Sequence, residues 1–197
     1  MEEISNRLRE IIEADERKRN GQKVSQYERE DLEKIFILKY AKENNLWISD
    51  IYSLGNSTGL RGNENTILVD IENNVVYKSN NLFNAKFLIS NLLNQLIAHN
   101  QLFPETKYGL AGFTGIDNGI KRAPYIEVVL KQDLVKDAMQ ASEEEIVNFM
   151  NSIGFKQVEQ AKFSNGEYIV ADLHPRNVLK DSNGVIYVVD DIIFKVG

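Results

Sequence analysis

Residues 170–179 read Val-Ala-Asp-Leu-His-Pro-Arg-Asn-Val-Leu, and residues 188–191 read Val-Val-Asp-Asp. Polar groups stand here in a defined order. Asp172 is followed, after four intervening residues, by Asn177; then comes an apolar hairpin, with the turn Asp181-Ser182-Asn183-Gly184, and then Asp190. Phosphoryl transfer asks for such a set. A carboxylate must orient the attacking hydroxyl, and oxygen ligands must hold Mg²⁺ against a triphosphate. Asp172 suits the first task. Asn177, with its side-chain carbonyl, and Asp190, with its carboxylate, suit the second. Pro175 fixes φ and stiffens the loop between them. A loop carrying Asp172 and Asn177, followed by a hairpin that ends in Asp190, can bring all three to one mouth. His174 in the same loop is read as structural or positioning.

This segment resembles the catalytic loop of the protein-kinase-like superfamily. It is especially similar to the Asp-Leu-His-Pro-x-Asn form of aminoglycoside and choline kinases. Val-Val-Asp190 resembles the metal-binding position of Asp-Phe-Gly, and Val75-Val76-Tyr77-Lys78 resembles the strand-three Val-Ala-Ile-Lys motif. The glycine-rich stretch from Gly55 to Asn65, with Gly55, Gly59 and Gly62, occupies the place of the phosphate lid, although its spacing departs from Gly-x-Gly-x-x-Gly. Within the superfamily the chain is similar above all to the compact kinase domain of bacterial polyvalent proteins, encoded on phages and conjugative elements. Residues 100–108 and 172–190 carry that likeness, which extends over about residues 46–194.

The resemblance implies a minimal protein-kinase-like α+β fold, with ATP and Mg²⁺ as cofactors. It implies catalytic roles for Asp172 and Lys78, and nucleotide contacts from Gly55, Gly59, Gly62, Lys78 and the backbone of Leu130 to Gln132. Asn177 and Asp190 become the metal ligands. The implied acceptor is a protein Ser, Thr or Tyr, with a small-molecule alcohol left open by the loop form. Departures from the pattern sharpen these expectations. Val170-Ala171 replace the His-Arg that precedes the catalytic Asp, which removes a receiver for activation-loop phosphorylation. Residues 79–104 contain no Glu or Asp to pair with Lys78, leaving Asn84, Asn91, Asn94, Gln95 or Glu105 as candidates. Asp191 stands where Phe of Asp-Phe-Gly would be. Seven residues follow Asp190. That predicts a core without a large substrate-binding lobe, whose platform comes from the N-terminal helices or from a protein partner. Three readings stand: an active phosphotransferase, a nucleotide-binding pseudokinase serving as an interaction module, and a structural accessory protein.

Composition narrows the alternatives. The 197 residues contain no cysteine, which excludes thiol catalysis and cysteine-based zinc sites, and only two histidines. The formal net charge of −6 offers no global attraction to nucleic acid or anionic membranes. The start lacks the basic and apolar regions of a signal peptide, and no apolar run approaches the roughly 18 residues of a membrane span. The expected compartment is the cytoplasm.

The elements that must position these residues follow from local patterning. Ile4, Leu8, Ile11 and Ile12 predict an amphipathic helix over 2–19, ended by Asn20-Gly21. Ser25 and Glu28 form a capping-box signature for a second helix, with Leu32, Ile35, Phe36, Ile37 and Leu38 on its apolar side. Residues 1–45 are thus expected as a helical extension, 46–130 as an N-lobe-like sheet and helix, and 131–197 as a truncated C-lobe. In the first lobe, residues 51–54, 66–70 and 75–78 predict an antiparallel meander, followed by a helix over 82–101. Residues 108–113 and 125–130 predict a hairpin. Ser142 with Glu143, Glu144 and Glu145 predicts a capped helix that ends at Gly154. Phe163 and residues 168–170 read as strand pieces around an Asn165-Gly166 turn.

Overall fold

The computed structural model describes residues 1–61, 65–119 and 122–196. The chain is α+β and divides into two compact units. The first comprises Met1–Asn94 and Tyr108–Gln132, the second Gln95–Lys107 and Asp133–Gly197. Residues 95–107 therefore pack with the later part of the chain rather than with the rest of 46–130. No helix among the described residues is long and apolar enough to cross a membrane.

The first unit opens with α1 (Glu2–Lys18) and α2 (Gln26–Glu43), which pack together. Both ends of α2 are set locally. At its start the Ser25 side chain accepts from the Glu28 amide while Glu28 accepts from the Ser25 amide, a reciprocal capping box. At its end Asn45 takes φ +55 and the Leu46 amide bonds back to the Ala41 carbonyl at 2.8 Å, a Schellman closure. The buried face of α2 is Glu33, Ile37 and Ala41, at strict i, i+4, i+8 spacing, while Ile35 is exposed. The buried side of the helix therefore contains a glutamate, which the apolar pattern read from the sequence did not include.

A five-stranded sheet follows, from β1 (Asn56–Arg61), β2 (Asn65–Asp70), β3 (Val75–Asn80), β4 (Gly109–Ile116) and β5 (Tyr125–Asp133), in the order β1-β2-β3-β5-β4. The expected hairpin is present, and a meander is present with Asn56–Arg61, in place of 51–54, as its first strand. Three expectations need correction. Residues Ile51–Leu54 form a single 3₁₀ turn instead of a strand, because the Asp50 carboxylate accepts from the Tyr52 amide at 2.9 Å. The glycine-rich stretch is not an open loop over Asn56–Arg61: it pairs with β2 as strand β1, with a register irregularity between Ser57 and Arg61. The helix expected from residue 82 begins only at Ile89, as α3 (Ile89–Leu102). The Asn80 and Asn81 side chains accept from the Leu82 and Phe83 amides at 2.8 and 3.1 Å, which turns the chain before a helix can start. Leu82, Lys86 and Phe87 consequently take positive φ.

One further segment lies along the outer strand. Past α2, Leu46 and Ile48 exchange two 2.8 Å backbone bonds with Phe113 of β4, and Trp47 forms a parallel bridge to it. Gly112 permits this approach, since a Cβ there would lie 2.4 Å from the Leu46 carbonyl oxygen.

The second unit holds the C-terminal part of α3, a 3₁₀ turn at Pro104–Thr106, β6 (Met139–Gln140), α4 (Glu143–Ser152) and the strands β7 (Lys156–Glu159), β8 (Lys162–Ser164), β9 (Tyr168–Ala171), β10 (Val178–Lys180), β11 (Ile186–Val188) and β12 (Ile192–Lys195). These strands make two antiparallel sheets, β11-β10-β6 and β12-β9-β8-β7. The α4 capping box is Ser142 with Glu145, and Gly154 at φ +87 allows the Schellman bond from Phe155 to Met150. The core between these elements is apolar, with Met150, Phe155, Phe163, Val170, Val178 and Val188 essentially excluded from water.

Candidate functional site

In the second unit, two sheets end at one place. The β9–β12 ladder stops at Ala171 opposite Ile192, so Asp172 and Asp191 are the first residues past it. The β10–β11 ladder starts at Val178 opposite Val188, so Asn177 and Val189 lie just outside it. The two links, 172–177 and 189–191, are stitched through one carbonyl: Asn177 O accepts from the Val189 amide at 2.9 Å and from the Asp190 amide at 3.3 Å. Asp172, Asn177 and Asp190 are thereby brought together, at the junction of the sheets.

The loop fixes its own side chains. Asp172 has φ +66, a left-handed conformation that Asp tolerates better than most residues. Such backbone strain is retained where surrounding contacts over-determine it. Those contacts are the His174 amide to the Asp172 carbonyl at 3.0 Å and the Asn177 amide to the His174 carbonyl at 2.8 Å. The Asn177 Nδ2 donates both to the Asp172 carbonyl at 3.0 Å and to its Oδ2 at 2.9 Å. This assigns the amide's orientation, leaving Oδ1 as an oxygen donor. His174 Nε2 lies 3.4 Å from Asp172 Oδ1, and its buried Nδ1 has no hydrogen-bond partner among the described residues. The Asp172 side chain is 48% exposed, so its carboxylate is directed from two sides yet remains open to solvent.

Asp191 differs from its neighbour. Its side chain is 3% exposed, and its Oδ1 lies 2.8 Å from Nδ1 of the equally buried His99. His99 Nε2 lies 2.9 Å from the Thr106 carbonyl oxygen. Asp191 Oδ2 is buried with no hydrogen-bond partner among the described residues. Sequence reading gave Asp190 to the metal and no role to Asp191, and His99, 92 positions away, gave no local signal.

The donor chemistry fits a hard divalent cation shared with a polyphosphate. Asn177 Oδ1 and the Asp190 carboxylate are oxygen donors, and Mg²⁺ in such sites takes one or two carboxylates plus substrate phosphates rather than a closed protein cage. No group of three or more His, Cys, Asp or Glu is placed to hold a metal among the described residues.

The first unit holds the remaining candidates. Lys78 lies in β3 opposite Ile67, 6% exposed, and donates from Nζ to the Tyr108 hydroxyl at 3.0 Å. Two of the residues expected as its partners are engaged otherwise: Asn94 Oδ1 accepts from Ser5, and Asn91 Nδ2 donates to the Ala85 carbonyl. Gly55 adjoins β2 so closely that a Cβ would lie 2.8 Å from the Val69 carbonyl group. Gly59 lies within β1, and Gly62 lies outside the described residues. Leu130 is buried in β5, opposite Leu110.

Sequence reasoning also missed a buried network. The Glu33 carboxylate, 1% exposed, accepts from Arg29 Nε at 3.1 Å, from the Ser90 amide at 3.0 Å and from the Ser90 hydroxyl at 2.6 Å. Ser90 is in the first turn of α3, where an anion complements the helix dipole. The helical hairpin thus anchors α3, with Ser5 of α1 bonding Asn94 at 2.9 Å one turn on.

The model of one protein family, described as the serine/threonine/tyrosine kinase found in polyvalent proteins, matches residues 30–196. No curated protein and no solved structure matches the chain.

Proposed function

The chain belongs to the family of serine/threonine/tyrosine kinases found in polyvalent proteins, and from that premise we propose that it is an ATP- and Mg²⁺-dependent phosphotransferase acting on a protein hydroxyl. Asp172 accepts a hydrogen bond from the attacking hydroxyl and orients it. Asn177 Oδ1 and the Asp190 carboxylate hold the cation. Lys78 binds the phosphates, Gly55, Gly59 and Gly62 belong to the lid over them, and the backbone from Leu130 to Gln132 receives the adenine. Bound Mg-ATP supplies the transferable phosphoryl group and the charge that offsets negative charge in the transition state. The observation that carries the reading is the pair of hydrogen bonds that Asn177 Nδ2 donates to Asp172, together with the Asn177 carbonyl that accepts from the Val189 and Asp190 amides. Catalysis of this kind is mostly positioning, and these bonds are a positioning device.

The reaction is assigned to the bacterial cytoplasm, in a protein carried by a mobile genetic element, with a protein partner presenting the substrate. The experiment is transfer from radiolabelled ATP to casein, to cell lysate and to small alcohols. Asp172→Ala is expected to abolish transfer while Mg-ATP binding survives, and loss of both together would overturn the role given to Asp172. One observation favours a second reading, a nucleotide-binding pseudokinase: residues 79–104 offer Lys78 no acid. Thermal stabilisation by Mg-ATP without transfer to any acceptor would select it.

A further inference from the structure

We propose that Tyr108 is the positioning residue for Lys78, a role that rests on Lys78 being the phosphate-binding lysine. The lysine stands in the interior of β3, and only 6% of its surface reaches water. Burying an ammonium is costly unless its protons find acceptors. Tyr108 meets that need in two ways. Its hydroxyl accepts from Nζ at 3.0 Å, and its ring centroid lies 5.0 Å from the same nitrogen, within cation–π range. Tyr108 is itself 5% exposed and leads directly into β4, so neither partner of the bond is a mobile surface group.

The chemistry of the partner matters. A carboxylate that orients a lysine also cancels its charge, and competes with a phosphate for it. A phenol accepts the hydrogen bond and adds no formal charge. Whatever else the ammonium touches, this contact directs Nζ while leaving its positive charge to act on an incoming triphosphate. Tyr108 therefore does by a neutral bond part of what an acidic residue on the following helix does in the related motif, and the sequence of that helix is relieved of the requirement.

Tyr108→Phe keeps the ring and deletes the acceptor. The expected result is a KM for ATP raised about tenfold, the order of one hydrogen bond to a charged group, with kcat changed far less. A second readout does not depend on turnover. The rate at which an acyl-phosphate analogue of ATP labels Lys78 is followed against pH, and its midpoint is expected to fall in Tyr108→Phe, because the ammonium form loses an acceptor. Site-specific 3,5-difluorotyrosine at position 108 keeps the size and the hydroxyl but ionises more readily, and it is expected to move the midpoint the opposite way. This variant serves if Tyr108→Phe does not fold. Lys78→Met separates the two levels of the argument. If it binds Mg-ATP as the unaltered chain does, the reading of Lys78 fails, and the inference with it. If it loses binding while the Tyr108 variants leave KM and midpoint unchanged, the inference alone is overturned.

Discussion

Among the described residues, Glu33 in the first unit and Asp191 in the second are buried carboxylates, and they are treated in opposite ways. Glu33 is surrounded by donors: both of its oxygens are bonded, and three of its contacts come from Arg29 and Ser90. Asp191 has His99 on one oxygen and no hydrogen-bond partner on the other among the described residues. A satisfied buried carboxylate locks elements together. A half-satisfied one costs stability, and it is found one residue from a proposed metal ligand. The difference teaches where the chain invests: the first unit holds the start of α3 firmly, and the second accepts imperfect pairing beside its proposed chemistry.

The largest expected effect tests the chemical side. Asp172→Asn is expected to lower kcat by about 10²–10⁴, the usual contribution of a positioned acid–base group, with the urea midpoint unchanged. A matching loss of stability would erase the distinction between the units. Next, Glu33→Ala leaves the Ser90 amide and hydroxyl buried without their acceptor, and is expected to cost about 3 kcal/mol in urea unfolding. Asp191→Asn places an amide where one oxygen already lacks a partner, and is expected to cost only about 1 kcal/mol. If Asp191→Asn proves the more damaging, the comparison breaks.

The two capping boxes sharpen it at smaller scale. Ser25→Ala and Ser142→Ala are each expected to cost about 1 kcal/mol. Glu28 and Glu145 are both held down to a pKa of about 2, but by different leading causes: the Ser25 hydroxyl for Glu28, and the Lys180 ammonium for Glu145. Both folded values lie below the ordinary 4.5, so each contribution is complete above pH 4.5 and is lost as pH falls through about 2. Carboxyl NMR titration is expected to find both midpoints near 2. Lys180→Met should raise the midpoint of Glu145 and leave that of Glu28 alone, while Ser25→Ala should raise Glu28.

What the sequence revealed was what is local. Capping boxes and turns each span four residues, and the Asp172, Asn177 and Asp190 set flanks one hairpin, so each could be read from spacing. The misreadings share a cause. At 51–54 and 82–88 the apolar pattern pointed to a strand and a helix, but single carboxylate or amide side chains at Asp50, Asn80 and Asn81 captured backbone amides first. Strands β6, β7 and β12 are too short to show a period. Tyr108, Ser90 and His99, which bond Lys78, Glu33 and Asp191, lie 30, 57 and 92 residues away from them, and no local rule reaches that far.

The segment laid on β4 has a consequence for the life of the protein in a crowded cell. An outermost strand normally offers a row of bare amides and carbonyls to any passing extended chain, which is how sheets grow into aggregates. Here Leu46 and Ile48 already occupy that row at Phe113. Gly112 is the position that lets them lie there, so even Gly112→Ala would push the cover off. A substitution far from any catalytic group would then show itself first as insoluble protein, before any loss of turnover.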